Sequence, residues 1–319
     1  MSRSFLPPDI TPTGYDAIRT DTRIWMAAIG EIACRHGLPP DVRPLDGGTN
    51  CLAVAGNHHV IKLFPPLLAG QYRSERSALA ALAGRLPVET PALQTAGELD
   101  GWPYIVMSRL EGVPLEDVWM HIPEAGRLDL MFEIGELIAR LQALPAGDLT
   151  ALEPEWHGFI AAQMERCAAR HERLRLPRHL LAGLERYLDR NAPLLPGSFI
   201  PTILTGEYTP ENLLVQDRNG RWRLTGLIDF GDVMTGFGEY DLIGPGAFLC
   251  AGRQARLARL LDGYGIAAAE RSEHLRSRLM LMHLLHRYSN FDAQLRLDGW
   301  KNRARNLDEL AGLVWPFGE

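Results

Sequence analysis

Hydrophobic and polar positions follow two different periods along this chain. From residue 42 to 64 they alternate in short runs, "NCLAVAG" and "HHVIKLF", joined at Gly56-Asn57. Period two predicts strands. "AGELDGWPYIVM" predicts two more around Asp100-Gly101, a dipeptide that favours a hairpin turn. Helices are predicted over residues 14–36, closed by Gly37 and the Pro39-Pro40 pair, and over 70–84. After "RLEGVPL" the period lengthens: Leu130, Ile134, Leu137, Ile138 and Leu141 form one helical stripe, and more helix follows over about 155–191. "NLLVQDRNGRWRLTGLIDF" interrupts with two strands around Asn219-Gly220, and from 247 onward the pattern is helical, most apolar over 275–289.

Strands first and helices later predict an α+β fold rather than a doubly wound sheet. The expected organisation is a strand-rich lobe with a leading helix over residues 1–110, a connector near 108–112, and a helical lobe over 111–319 carrying one small hairpin. We find no internal repeat and no low-complexity segment.

Composition narrows the classes of function. The 319 residues are 46% hydrophobic, enough for a substantial core in one large domain or two lobes. A net charge of −6 without a basic run argues against a nucleic-acid partner. Cys34, Cys51, Cys167 and Cys250 lie far apart without a C-x-x-C pair, as in a reduced intracellular protein. The start "MSRSFLPPDITPTGYD" has no apolar signal region, and no apolar run reaches a membrane span, so a soluble cytoplasmic protein without a membrane partner is expected.

The chemistry-bearing residues fall in four places. Lys62 stands in an apolar strand, where an unpaired ammonium is costly unless the strand is an edge. Glu75, thirteen residues on, shares its helix face with Leu79 and Leu82, where it either calls for a cation or is a solvated glutamate on a charged helix. A strand lysine paired with a helix glutamate is how kinases hold a lysine on nucleotide phosphates. Gly47 and Gly48 in "LDGGTN" form a turn that lets backbone approach phosphate, or simply joins two strands.

"ILTGEYTPENLLV" places a carboxylate, Glu207, five residues before Asn212 at the mouth of a strand. Asp229 ends the apolar strand "LTGLIDF" seventeen residues after Asn212, and a carboxylate there suits Mg²⁺, a hard cation that prefers oxygen donors. His283 and His286, three apart on an apolar helix, read as core or pocket histidines, since no third metal ligand is evident. Asp241 in "GEYDLIG" is expected to tie down the backbone of the loop at Glu207 rather than to touch substrate, the lesser alternative. Near Asp232, His286 and Asp292, where the helix over 275–289 runs into the polar stretch "HRYSNFDAQ", the expectation is either an acceptor pocket or a solvated helix terminus.

In these residues the chain resembles the aminoglycoside phosphotransferase group of kinase-like enzymes. The loop H-G-D-L-H-P-x-N of that group is similar to Thr205, Gly206, Glu207, Tyr208, Thr209, Pro210, Glu211, Asn212, and its metal motif to "IDFGDVMTGFGEYDLI". "VIKLF", "WPYIVMSRLEG", "DFGDVMTG" and "FLCAGRQARLARLLDG" are most similar to the actinomycete hygromycin B phosphotransferases. Thr205 stands where the family has His, Glu207 where it has Asp, Gln142 where a His is common and Phe237 where an Asp is expected.

The resemblance implies a bilobal protein-kinase-like fold with ATP, or GTP, in the interlobe cleft and Mg²⁺ as the metal. Backbone of Ser108 and Leu110 would meet the base, Lys62 the α/β-phosphates, and Asn212 and Asp229 the metal, with Glu207 as base toward the acceptor hydroxyl. The implied reaction is ATP-dependent O-phosphorylation of a small hydroxylated molecule, an aminoglycoside such as hygromycin B among them. The changed loop leaves two alternatives: a non-catalytic nucleotide-binding module, and a kinase of another metabolite or of a protein hydroxyl.

Overall fold

Alternation in the first hundred residues becomes a five-stranded antiparallel sheet: β1 (Val42–Leu45), β2 (Cys51–Ala55), β3 (His59–Leu63), β4 (Leu93–Leu99) and β5 (Trp102–Ser108), in the order β1-β2-β3-β5-β4. The computed structural model describes residues 4–45 and 47–318, so Asp46 of the turn read above lies outside the described residues. The β4–β5 hairpin turns where Asp100 and Gly101 take φ of 53° and 82°, the left-handed region its tight turn requires.

The predicted leading helix is two helices, α1 (Pro12–Thr20) and α2 (Thr22–Arg35). Asp21 divides them: its N–H reaches the Ile18 carbonyl while its carboxylate accepts from Arg23 N and caps α2. Trp25, Ile29 and Ile32 of α2 bury against Ala53, Ile61, Leu63 and Val106 of the sheet. The third helix, α3 (Ala69–Leu82), buries Glu75 together with Ala78, Leu79 and Leu82.

Contacts divide the chain into two units, the first being residues up to Glu111 together with Gly226–Val233. That returning segment joins the first unit where Leu227 N donates to Glu89 O at 3.0 Å.

The second unit, Gly112–Thr225 with Met234–Glu319, is mostly helical. It carries β6 (Val113–Pro114) paired with β8 (Leu213–Asp217), which in turn neighbours β9 (Trp222–Leu227). β7 (Thr202–Leu204) pairs with β10 (Met234–Gly236). The predicted stripe lies in helix Glu124–Gln142, with all five of its apolar residues buried. That helix crosses Gln254–Tyr264 at two glycines: a Cβ on Gly135 would stand 2.1 Å from Leu260 O, and one on Gly263 2.1 Å from Phe132 O. Helix Glu273–Leu285 is buried continuously from Leu279 to Leu285.

Candidate active site

Lys62 lies in β3, between β2 and β5, so it is not an edge-strand lysine. Strand pleat directs alternate side chains to opposite faces, and Lys62 is thrown to the face opposite Ile61 and Leu63, which pack in the core with α2. Its Nζ lies 2.6 Å from Glu75 Oε2 and 3.0 Å from Asp229 Oδ1. The Lys62 and Glu75 side chains are only 3% and 1% exposed. Burial alone would pull the ammonium toward its neutral form, but two carboxylates outweigh it and hold its pKa above the lysine range. Burial pushes Glu75 up, and Asp229 adds to this while Lys62 opposes it.

Asp229 is the least buried of the three, its side chain 35% exposed. Burial also works against its charge, yet Lys62 and the Gly231 N–H hold the carboxyl below the usual range. Oδ1 is engaged by Lys62 Nζ and by Gly231 N at 3.2 Å. The backbone at Asp229 is left-handed, φ 63°, an uncommon conformation outside glycine. An ionised, partly exposed oxygen donor fits a hard divalent cation, which keeps several waters and needs few protein ligands. Among the described residues no group of three His, Cys, Asp or Glu gathers as a metal cage.

Sequence reasoning missed Asn50 and Gln71. Asn50 Nδ2 donates to Gln71 Oε1 at 3.2 Å, and Gln71 Nε2 reaches Asp232 Oδ1 at 3.5 Å. The available signal was spacing, since Gln71 precedes Glu75 by one helical turn. Gly47 and Gly48 are exposed with φ of 87° and 77°. Ser108 closes β5 with its N–H committed to Ala92 O at 2.9 Å. Leu110 follows, half-buried.

In the second unit the loop Thr205–Asn212 is held at several points. Asp241 Oδ2 accepts from Thr205 N at 3.1 Å and Oδ1 from Gly206 N at 2.8 Å. Asp241 thus binds backbone of the loop, as its position suggested. Its burial drives the carboxyl up to about 7, against the pull of those two N–H groups. Asn212 Nδ2 donates to Glu207 O at 3.2 Å and to Glu207 Oε2 at 3.3 Å. That orients the added methylene of Glu207 and leaves Oδ1 as the atom of Asn212 suited to a cation. Gln142, in the position of a common family His, donates to Gly238 O at 2.9 Å and accepts from Tyr264 Oη at 2.9 Å.

His286 is buried with its Nε2 3.2 Å from Gly206 O, whereas Asp292 is exposed and paired with Lys301 at 2.7 Å. His283 is fully buried against Gln294 Oε1 at 3.2 Å. Neither His286 nor Asp292 borders a cavity of about 870 Å³ within this unit, whose walls include Pro210, Glu211, Glu116, Trp119 and Arg296.

Residues 41–279 match the model of the family described as the phosphotransferase enzyme family, about three-quarters of the chain. The chain belongs to the phosphotransferase enzyme family. This phosphotransferase is 27% identical over 253 residues to viomycin phosphotransferase of Streptomyces vinaceus, covering 77% of this chain and 87% of that relative. Among solved structures, the GDP complex of wild-type aminoglycoside 2'-phosphotransferase-IIIa superposes with a TM-score of 0.68 at 18% identity, over 83% of this chain and 89% of that one. A macrolide 2'-phosphotransferase from Brachybacterium faecium, as apoenzyme, gives 0.57 at 20% identity, over 92% and 99%.

The fold is therefore α+β and kinase-like, and the phosphotransferase is an enzyme that transfers phosphate to a hydroxyl group. No helix among the described residues is long and apolar enough to cross a membrane.

Proposed function

We propose that this phosphotransferase moves the γ-phosphoryl group of Mg²⁺-ATP, or Mg²⁺-GTP, to a hydroxyl of a small antibiotic-like molecule. The observation that carries this reading is Lys62 on a central strand, buried between the Glu75 and Asp229 carboxylates. A lysine fixed in this way, with its charge secured, is suited to hold nucleotide phosphates. Asp229 and Asn212 are the residues suited to the metal, which when bound neutralises charge on the transferring phosphoryl group. Gly47 and Gly48 offer backbone to phosphate, and the backbone of Ser108 and Leu110 serves the base.

Glu207 takes the proton as the acceptor oxygen bonds to phosphorus and the bond to the β-phosphate oxygen breaks, leaving nucleoside diphosphate. The acceptor is placed in the cavity beside Pro210 and Glu211, three and four residues past Glu207. Its wall sets Glu116, Glu211 and Asp298 among five arginines, a polar lining suited to a hydroxyl-rich acceptor.

The first acceptors to test are hygromycin B, which the quoted sequence stretches suggest, then viomycin, other aminoglycosides and macrolides, suggested by the named relatives. ADP or GDP release is measured with each, and phosphorylation is checked by mass spectrometry of the acceptor. Separately, saturation at a hundred times Kd is expected to stabilise the fold by ~2.7 kcal/mol. A melting curve unmoved by both Mg²⁺-nucleotides would refute the nucleotide site. Nucleotide binding without turnover on any acceptor would support a binding module instead.

A further inference from the structure

The loop that carries Glu207 lacks the ring its family motif supplies at Thr205, yet a ring reaches it from eighty residues away. We infer that His286 is a positioning residue for the Glu207 loop, holding Gly206 in place by donating from Nε2 to its carbonyl. This rests on the phosphotransfer reading above.

The geometry defines the ring's state. Nε2 lies 3.2 Å from Gly206 O, a group that can only accept, so Nε2 carries the hydrogen. Nδ1 accepts from Tyr288 N at 3.3 Å, so it carries none. One face of the ring stacks on Tyr240 at 4.7 Å with planes 18° apart. Burial holds the imidazole neutral, with its pKa down at about 3, and the charges of Arg287 and Arg170 reinforce this. The buried His283 adds no charge of its own, since it is neutral for the same reason. His286 is thus a fixed single-tautomer donor rather than an acid or base.

Its target is the residue before Glu207. Gly206 has φ 71°, so its peptide planes sit where other residues rarely go, and they need fixing. Asp241 pins the N–H side at 2.8 Å and His286 the carbonyl side. Tyr240, on which the ring stacks, adjoins Asp241 in sequence, so both pins rest on one support. With Gly206 held on both sides, the backbone leading into Glu207 is fixed, and Asn212 then orients the carboxylate. His286 therefore belongs to the loop's support, not to the acceptor pocket.

Two variants separate donor from ring. His286→Gln retains an Nε2–H donor at similar reach, whereas His286→Phe retains the ring and removes the donor. Phe is expected to lower kcat about 10- to 100-fold with the KM for nucleotide nearly unchanged, because misplacement of a reacting group costs of that order. Gln is expected to stay within a few-fold of wild type. Equal kcat in Phe and wild type, or equal loss in Phe and Gln, would overturn the inference. A selective rise in acceptor KM with kcat intact would overturn it too, by returning His286 to the pocket.

A second measurement needs no turnover. ¹⁵N spectra of the histidine-labelled protein are expected to show the His286 ring as the neutral Nε2–H tautomer between about pH 5 and about pH 8. The opposite tautomer, or titration near the ordinary value, would overturn the inference even if no acceptor were found. Failure of the phosphotransfer reading would instead appear as a wild-type protein without turnover but with the expected tautomer.

Discussion

The side-chain amide of Asn212 donates to both the backbone carbonyl and the Oε2 of Glu207, at 3.2 and 3.3 Å. A glutamate, one methylene longer than the family's aspartate, is thereby tied to the metal-side amide. Asp229→Ala is expected to abolish turnover more completely than Glu207→Gln. The first removes charge stabilisation and phosphate alignment, the second one contribution of about 10²–10⁴-fold. Single-turnover rates of both variants check this, and equal, complete loss would show that the base outweighs the metal ligand.

Removing one member of a buried ion pair leaves the other uncompensated. Lys62→Met should destabilise the protein by about 3–5 kcal/mol, because Glu75 is then left buried without its cation. Adding Glu75→Leu should restore much of that stability while turnover stays lost. Denaturant midpoints of the single and double variants provide the measurement. If the double variant were less stable than the single one, the lysine would not be what makes Glu75 tolerable.

Three buried rings make stability depend on acid. His171, His283 and His286 have pKa values lowered by burial to about 4, about 3 and about 3. Unfolded, they take protons near the ordinary ~6.5, so their contribution is complete above about pH 6.5 and lost as pH falls. Asp241, raised by burial to about 7, acts in the opposite direction: the folded state takes its proton first, and stability rises as pH falls from about 7 to about 4. Comparing variants isolates each group. Between about pH 7.5 and about pH 5, His286→Gln should lose less stability than wild type, and Asp241→Asn more. The reverse order in unfolding midpoints would contradict the assigned directions.

The glycine crossing is open to test by a single methyl group. Gly135→Ala should destabilise by about 1–3 kcal/mol, since the new Cβ meets the Leu260 carbonyl and the helices must separate. Gly30→Ala in α2, where nothing lies within 4 Å of the added Cβ, should be neutral or slightly stabilising. Equal thermal shifts in the two would argue against a backbone-to-backbone crossing.

What the sequence made legible was local. Asp100-Gly101 and Asn219-Gly220 were readable as turns because their backbones must enter the left-handed region, and they do, with φ of 53° and 82°, and 59° and 80°. The break between α1 and α2 was not, because apolar periodicity runs through Asp21 while the capping that interrupts it depends on one carboxylate. Lys62 and Glu75 were legible as a pair because each was an anomaly on an apolar face. The hold of His286 on Gly206 was not, since eighty residues separate them and no local pattern records a tertiary hydrogen bond. The three-residue pairing of β7 with β10 was hidden for the same reason.

The crossing of helices Glu124–Gln142 and Gln254–Tyr264 has a mechanical meaning. Side chains between helices act as compliant spacers, able to change rotamer and let the elements slide. Here backbone bears on backbone, so the joint behaves as a weld. Both helices finish at one contact, Gln142 to Tyr264, and Gln142 also fastens Gly238, three residues before the Asp241 that pins the loop. The same line of contacts leads through Asp241 to the loop that carries Glu207. Two absent methyl groups, 128 residues apart in the chain, are what let these helices meet backbone to backbone.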